Sequence, residues 1–227
     1  MKKPLVVLVI IFIAALASVL WLFPGQESSS NIENVKEPPA RESLSSLCVG
    51  VLAVERNAWD AAYREFSELA VVGEPVAQYY LGTMFARGYG VVKDSSTGMR
   101  WLMKAAEQNY PRAMFELGLL AYQGQVSGKN YSEAFHWFER AAKLNHPEAQ
   151  LFLGSMHLNG RGTEVDLAVG HAWLSVALEN GFVPAADVLA NRAEPPNTAV
   201  QLKVQLQNSI ADTVRQSDIP RGPQCAQ

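Results

Sequence analysis

From Pro75 onward the chain repeats one pattern of apolar, small and polar positions at a fixed step of thirty-six residues. Pro75, Pro111 and Pro147 keep this step, as do Ala77, Ala113 and Ala149. Leu81-Gly82, Leu117-Gly118 and Leu153-Gly154 keep it too, followed by Gly88, Gly124 and Gly160, then Trp101, Trp137 and Trp173. A repeat of this length with helical spacing inside it predicts an all-α chain built of stacked α-α hairpins, a right-handed solenoid. Within the first copy Ala77, Leu81, Met84 and Phe85 fall at steps of three and four, which predicts a first helix. Gly88 and Gly90 end it, because glycine accepts the left-handed conformation of a helix C-terminus. Gly98, Trp101, Leu102, Ala105 and Ala106 mark one face of a second helix, and Pro111 opens the next unit. Gly82, Gly118 and Gly154 lie inside helices, where glycine costs about 1 kcal/mol against alanine. That cost predicts a neighbouring helix too close to admit a Cβ. The three tryptophans are expected to be wedges between stacked hairpins.

These residues resemble the Sel-one-like repeat family, a relative of the tetratricopeptide repeat. "VAQYYLGTMFARGYGVVKD" with "GMRWLMKAAEQNYP" is similar to a near-complete unit, and "EAQLFLGSMHLNGRG" with "HAWLSVALENG" is similar to a last repeat. The middle copy lacks the second glycine and the aspartate that Gly90 and Asp94 supply, which predicts a differently shaped turn. "GVLAVERNAWDAAYREFSELAVVGEP" resembles a further, degenerate unit, so the resemblance covers residues 43–193. It implies an adaptor or scaffold role without naming a partner. Some exported members of that family carry a cysteine pair in each repeat, and this chain has none.

The N-terminal pattern is different. Lys2 and Lys3 precede an unbroken apolar run from Pro4 to Phe23, long enough to cross a bilayer as a helix. The lysines favour a cytoplasmic start, which predicts a single-pass inner-membrane anchor over residues 1–23 with the repeats on the periplasmic side. A cleaved signal peptide, with Ala15-Leu16-Ala17 at its cleavage site, is the alternative. Residues 24–42, rich in Ser, Pro, Glu and Asn, read as a flexible linker. Residues 194–227 follow the repeats. Thr198 to Gln216 is expected to be a capping helix and the rest an irregular tail.

Charge and chemistry add little. The formal net charge is -3 and no basic stripe suggests nucleic acid. His136, His146, His157 and His171 lack the close spacing of metal ligands. No nucleophile elbow, zinc-protease helix or phosphate loop occurs, so no cofactor, small-molecule substrate or catalytic residue is predicted. Cys48 and Cys225 are an even pair that an oxidising compartment could join. Since the ends of a solenoid usually lie far apart, the expectation is that both stay unpaired.

What remains is a surface. The first helix of each hairpin is expected to line the concave side through Val76, Tyr80, Thr83 and Arg87, then Arg112, Glu116, Leu119 and Gln123, then Glu148, Phe152, Ser155 and Asn159. Tyr80 and Phe152 are aromatic where a solvated face would be polar, and aromatic residues with arginine favour binding hot spots. Glu116 is expected to attract a basic residue of the ligand. Three functions compete on this pattern: an envelope scaffold for a protein or peptide partner, a structural component of an envelope assembly, and a peptidoglycan-acting enzyme.

Overall fold

The computed structural model describes residues 40–191, 196–217, 219–220 and 225, with side-chain burial from Leu44 onward. Among the described residues the protein is a stack of ten helices without strands. They are α1 (Ala40–Glu55), α2 (Trp59–Val71), α3 (Pro75–Arg87), α4 (Ser95–Glu107), α5 (Pro111–Gln123), α6 (Tyr131–Lys143), α7 (Pro147–Asn159), α8 (Leu167–Glu179), α9 (Pro184–Ala190) and α10 (Asn197–Gln216). From α1 to α9 each helix packs on its neighbours in sequence, and α10 folds back onto α8 and touches α6. The helix α1 begins at Ala40, inside the segment read as linker. The predicted membrane segment lies outside the described residues. Among those described, no helix is long and apolar enough to cross a membrane.

The boundaries follow from repeated local chemistry. Pro75, Pro111 and Pro147 occupy the first turns of α3, α5 and α7, where a missing N–H costs nothing. Gly88, Gly124 and Gly160 close the same helices at φ +79°, +73° and +63°. The second helices begin on carboxylate or amide caps. Asp94 Oδ1 accepts from the N–H groups of Ser96 and Thr97 at 3.0 and 3.1 Å, and Asp166 Oδ1 accepts from Val169 at 3.0 Å. In the middle copy Asn130 takes this role, accepting from Glu133 N–H at 3.1 Å. Its turn does differ: the positive φ held by Gly90 and Gly162 elsewhere moves to Gly128.

The in-helix glycines sit at close approaches of two kinds. A Cβ on Gly98 would lie 2.6 Å from Ala86 N and 2.7 Å from Gly82 O, so α3 and α4 meet backbone to backbone. Gly154 and Gly170 repeat this contact between α7 and α8. In the middle copy Ala134 replaces the second glycine, and the Phe138 ring fills the wider gap, 2.5 Å from a Cβ built on Gly118.

The tryptophan expectation needs correction. Leu102, Phe138 and Leu174, one residue beyond each tryptophan, are the fully buried wedges, each 0% exposed. One residue is a rotation of about 100° around a helix, so Trp101 and Trp137 turn half outward. Lys104 and Arg140 lie 4.2 and 4.8 Å over their rings. Trp173 is buried because α10 covers α8.

Between hairpins, amide pairs anchored on the buried Gln78 and Gln150 link neighbouring copies. Gln78 Nε2 donates to Ala70 O at 3.2 Å, and Gln108 donates to Gln78 Oε1 at 2.9 Å. Gln150 and Asn180 repeat the pair, with Asn180 Nδ2 donating to Gln150 Oε1 at 2.9 Å. The middle copy carries Met114 and Leu144 at both positions, so amide meets amide or hydrocarbon meets hydrocarbon.

Candidate functional site

The first helices of the hairpins form one inner layer, in which α3 touches α5 directly. An aromatic series runs along it. The Tyr80 ring stacks on Phe66 at 4.6 Å, and Tyr79 contacts both Tyr80 and Tyr110. Further along, Phe152 contacts Phe115, Tyr122 and Phe138 at 5.6, 5.9 and 4.9 Å. Tyr80 and Phe152 are therefore half-buried and packed, rather than projecting freely from the inner face. Burial raises the Tyr79 hydroxyl to about 12, helped by Glu116, and burial raises Tyr80 against the opposing pull of Arg112.

Two depressions open on this layer. The larger, of about 530 Å³, lies at the N-terminal ends of α5 and α7. Tyr80, Tyr110, Arg112 and His146 line it, with Glu55 of α1 and the tail residues Ile219 and Pro220. The smaller, about 230 Å³, is lined by Tyr122, Phe152, Ser155, Asn159 and Arg161 among others. The structure thus brings Val76, Tyr80 and Arg112 to one depression and Phe152, Ser155 and Asn159 to the other. Val76, expected on the open face, is only 1% exposed. Thr83, Leu119 and Gln123 line neither. Thr83 Oγ1 donates to Tyr79 O at 2.9 Å, and Leu119 packs against the core.

The charges are arranged differently from expectation. Arg87 donates to both oxygens of Glu116, at 3.0 and 2.8 Å. This two-pronged pair occupies the carboxylate expected to attract a basic ligand residue. Arg112 and Arg161 are held by tyrosines instead. The Arg112 guanidinium lies beside the Tyr80 hydroxyl. Arg161 donates to the Tyr122 hydroxyl and lies 5.9 and 5.8 Å from the Tyr122 and Tyr131 ring centres. Among the described residues neither arginine has a carboxylate within 4.0 Å.

His146 joins the site to the scaffold. Its Nδ1 accepts from Ala149 N–H at 3.4 Å, capping α7, and its ring stacks on Phe115 at 4.9 Å. Burial lowers its pKa from 6.5 to about 4, against the opposing pull of Glu148 at 3.3 Å. Between those two values the unfolded chain binds more protons than the folded one, so stability falls as pH drops through this window. The loss expected from His146 is at most about 3 kcal/mol. Urea unfolding of the parent should weaken more steeply than that of His146→Gln between pH 7 and pH 4. Parallel curves would contradict this role.

The tail supplies what the sequence reading missed most plainly. Cys48 and Cys225 form a disulfide, with Cα atoms 5.4 Å apart, which overturns the expectation of two distant, unpaired thiols. The ends meet because α10 returns along the stack and Ile219 packs against its core. Tyr110, Asn145 and His146 were legible only as residues preceding the repeated prolines, in the turns that bring them to the larger depression.

The Sel1 repeat pattern matches residues 75–110, 111–146 and 147–182. A solved Sel1 repeat protein from Oxalobacter formigenes is 30% identical, with a TM-score of 0.53, over 58% of this chain and 98% of its own. The chain belongs to the Sel1 repeat family. A further Sel1-like structure is c5321, described as a protective antigen of uropathogenic Escherichia coli strains. It is 20% identical, with a TM-score of 0.38, over 82% of this chain and 50% of that one. No curated protein sequence matches the chain. Sel1 repeats are commonly scaffolds for protein–protein interaction, and the paired depressions lie on the repeat-built inner layer of this one.

Proposed function

We propose that the protein is a non-enzymatic scaffold of the cell envelope that binds a protein or peptide partner along the inner face of α3, α5 and α7. The observation that carries this reading is the pair of aromatic- and arginine-lined depressions on that face. An envelope location is supported by the apolar run Pro4–Phe23 and by the Cys48–Cys225 pair, since disulfides persist in oxidising compartments. In that arrangement residues 1–23 hold the chain at the inner membrane and the repeats stand on the periplasmic side. Retention of the full-length chain in carbonate-washed membranes tests the anchor.

The binding face is tested by a photo-crosslinking residue placed in turn at Glu55, Ser155, Met103 and Glu107, in cells carrying the full chain. Glu55 and Ser155 border the depressions, while Met103 and Glu107 are exposed on α4. One partner should crosslink from the first two positions and from neither of the others. Crosslinking confined to α4 would move the interface off the inner face.

A further inference from the structure

The proposed binding face has a charge preference that its apolar lining does not reveal. Glu116 is neutralised by Arg87, whereas Glu148, 3.3 Å from the neutral His146, attracts Arg112 from a distance without an ion pair. Arg112 and Arg161, one at each depression, are oriented by tyrosine hydroxyls and rings rather than by described carboxylates. A guanidinium held this way keeps donors for an incoming carboxylate, and the fixed geometry reduces the entropy lost on binding. Between the two arginines the surface offers Tyr80, Phe115 and Phe152, which suit apolar side chains. Glu55 is the one described carboxylate bordering the larger depression, across from the helix N-termini.

The tail completes the larger depression. Ile219 and Pro220 form part of its wall, yet about 530 Å³ stays open beside them. The Cys48–Cys225 bond fastens that stretch to α1. A strap that filled the site would act as a competitor; one that leaves this volume open acts as a wall.

We propose that the inner face binds an extended segment carrying acidic residues on either side of apolar ones, with Arg112 and Arg161 receiving the acids and the disulfide-fastened tail forming one wall of the site. This rests on the scaffold reading above and adds the partner's chemistry. The strap gives the test a sign. With the tail as a wall, releasing it weakens binding. With the tail as an occupant, releasing it strengthens binding.

The probe is a bead library of acetylated, amidated random octapeptides, screened against the purified full chain and followed by fluorescence polarisation. Selected peptides should carry Asp or Glu beside apolar residues. Replacing an acid by its amide should weaken binding tenfold or more, as should Arg112→Gln or Arg161→Gln. Each arginine variant should be insensitive to removal of the acid it receives. Cys225→Ser should also weaken binding several-fold, and so should Ile219→Asp, which leaves the disulfide intact. Lys104→Ala, on α4, should change nothing. Binders lacking acids, affinities blind to both arginines, or an empty screen would overturn the charge assignment. Tighter binding by Cys225→Ser would overturn the wall. If peptides fail while crosslinking still maps a partner to Glu55 and Ser155, this inference falls and the scaffold reading stands. If crosslinking maps to α4, both fall.

Discussion

Phe138→Ala is expected to destabilise the protein by about 3–5 kcal/mol, whereas Trp137→Ala next to it should cost only about 1 kcal/mol. Phe138 is 0% exposed, lies on Gly118, and contacts Phe115, Tyr122 and Phe152. Removing its ring leaves a cavity that helices joined by short turns cannot close, because Gly118 has no side chain to move into it. Trp137 is half-buried, so only part of its ring packs on the core and the rest lies under Arg140. Urea unfolding of both variants checks the ranking. Equal losses would mean that the buried face of α6 is misassigned.

The second large effect is expected from the tail. Cys225→Ser should lower stability by about 2–5 kcal/mol, since the bond closes a loop with a sequence separation of 177 residues. Loop entropy alone gives about 5 kcal/mol, and residual structure in the unfolded chain reduces it. Dithiothreitol added to the parent should reproduce the variant's unfolding midpoint, while leaving the variant itself unchanged. A reductant effect on both proteins alike would assign the loss to something other than Cys48–Cys225.

Much of the fold was legible because each hairpin states the same instructions again. Proline opens the first helix, glycine closes it, and a polar cap starts the second, so three copies fix the register where one would be ambiguous. The degenerate opening unit shows how far this goes. Residues 50–75 keep few of the repeated positions, yet α1 and α2 form a hairpin on the first copy. What failed was finer than the helix boundary. A periodic tryptophan and the residue after it are both apolar, and only the neighbouring helix decides which one points inward. The same ambiguity put Val76 on the open face. The Gln78–Gln108 and Gln150–Asn180 pairs were illegible because their partners lie thirty residues away in sequence.

The candidate site was legible in its helices and misread in its electrostatics. Spacing placed Tyr80, Arg112, Phe152 and Ser155 on one face, and they border the two depressions. Spacing could not show that Arg87 reaches Glu116, twenty-nine residues on, and so removes the negative charge the ligand was expected to meet. Nor could it show the tail. A cysteine near each end reads as unpaired if the stack is straight, and α10 reversing along α8 is a tertiary event with no local signal.

The central claim, that the inner face of the stack is where a partner docks, is tested most directly by amide hydrogen exchange on the full chain. The exchange is compared with and without the segment of partner recovered by crosslinking. Added protection is predicted in α3, α5 and α7 and in the turns at Tyr110 and His146, with α4, α6 and α8 unchanged. Protection gained only in α4, α6 and α8 would contradict the account.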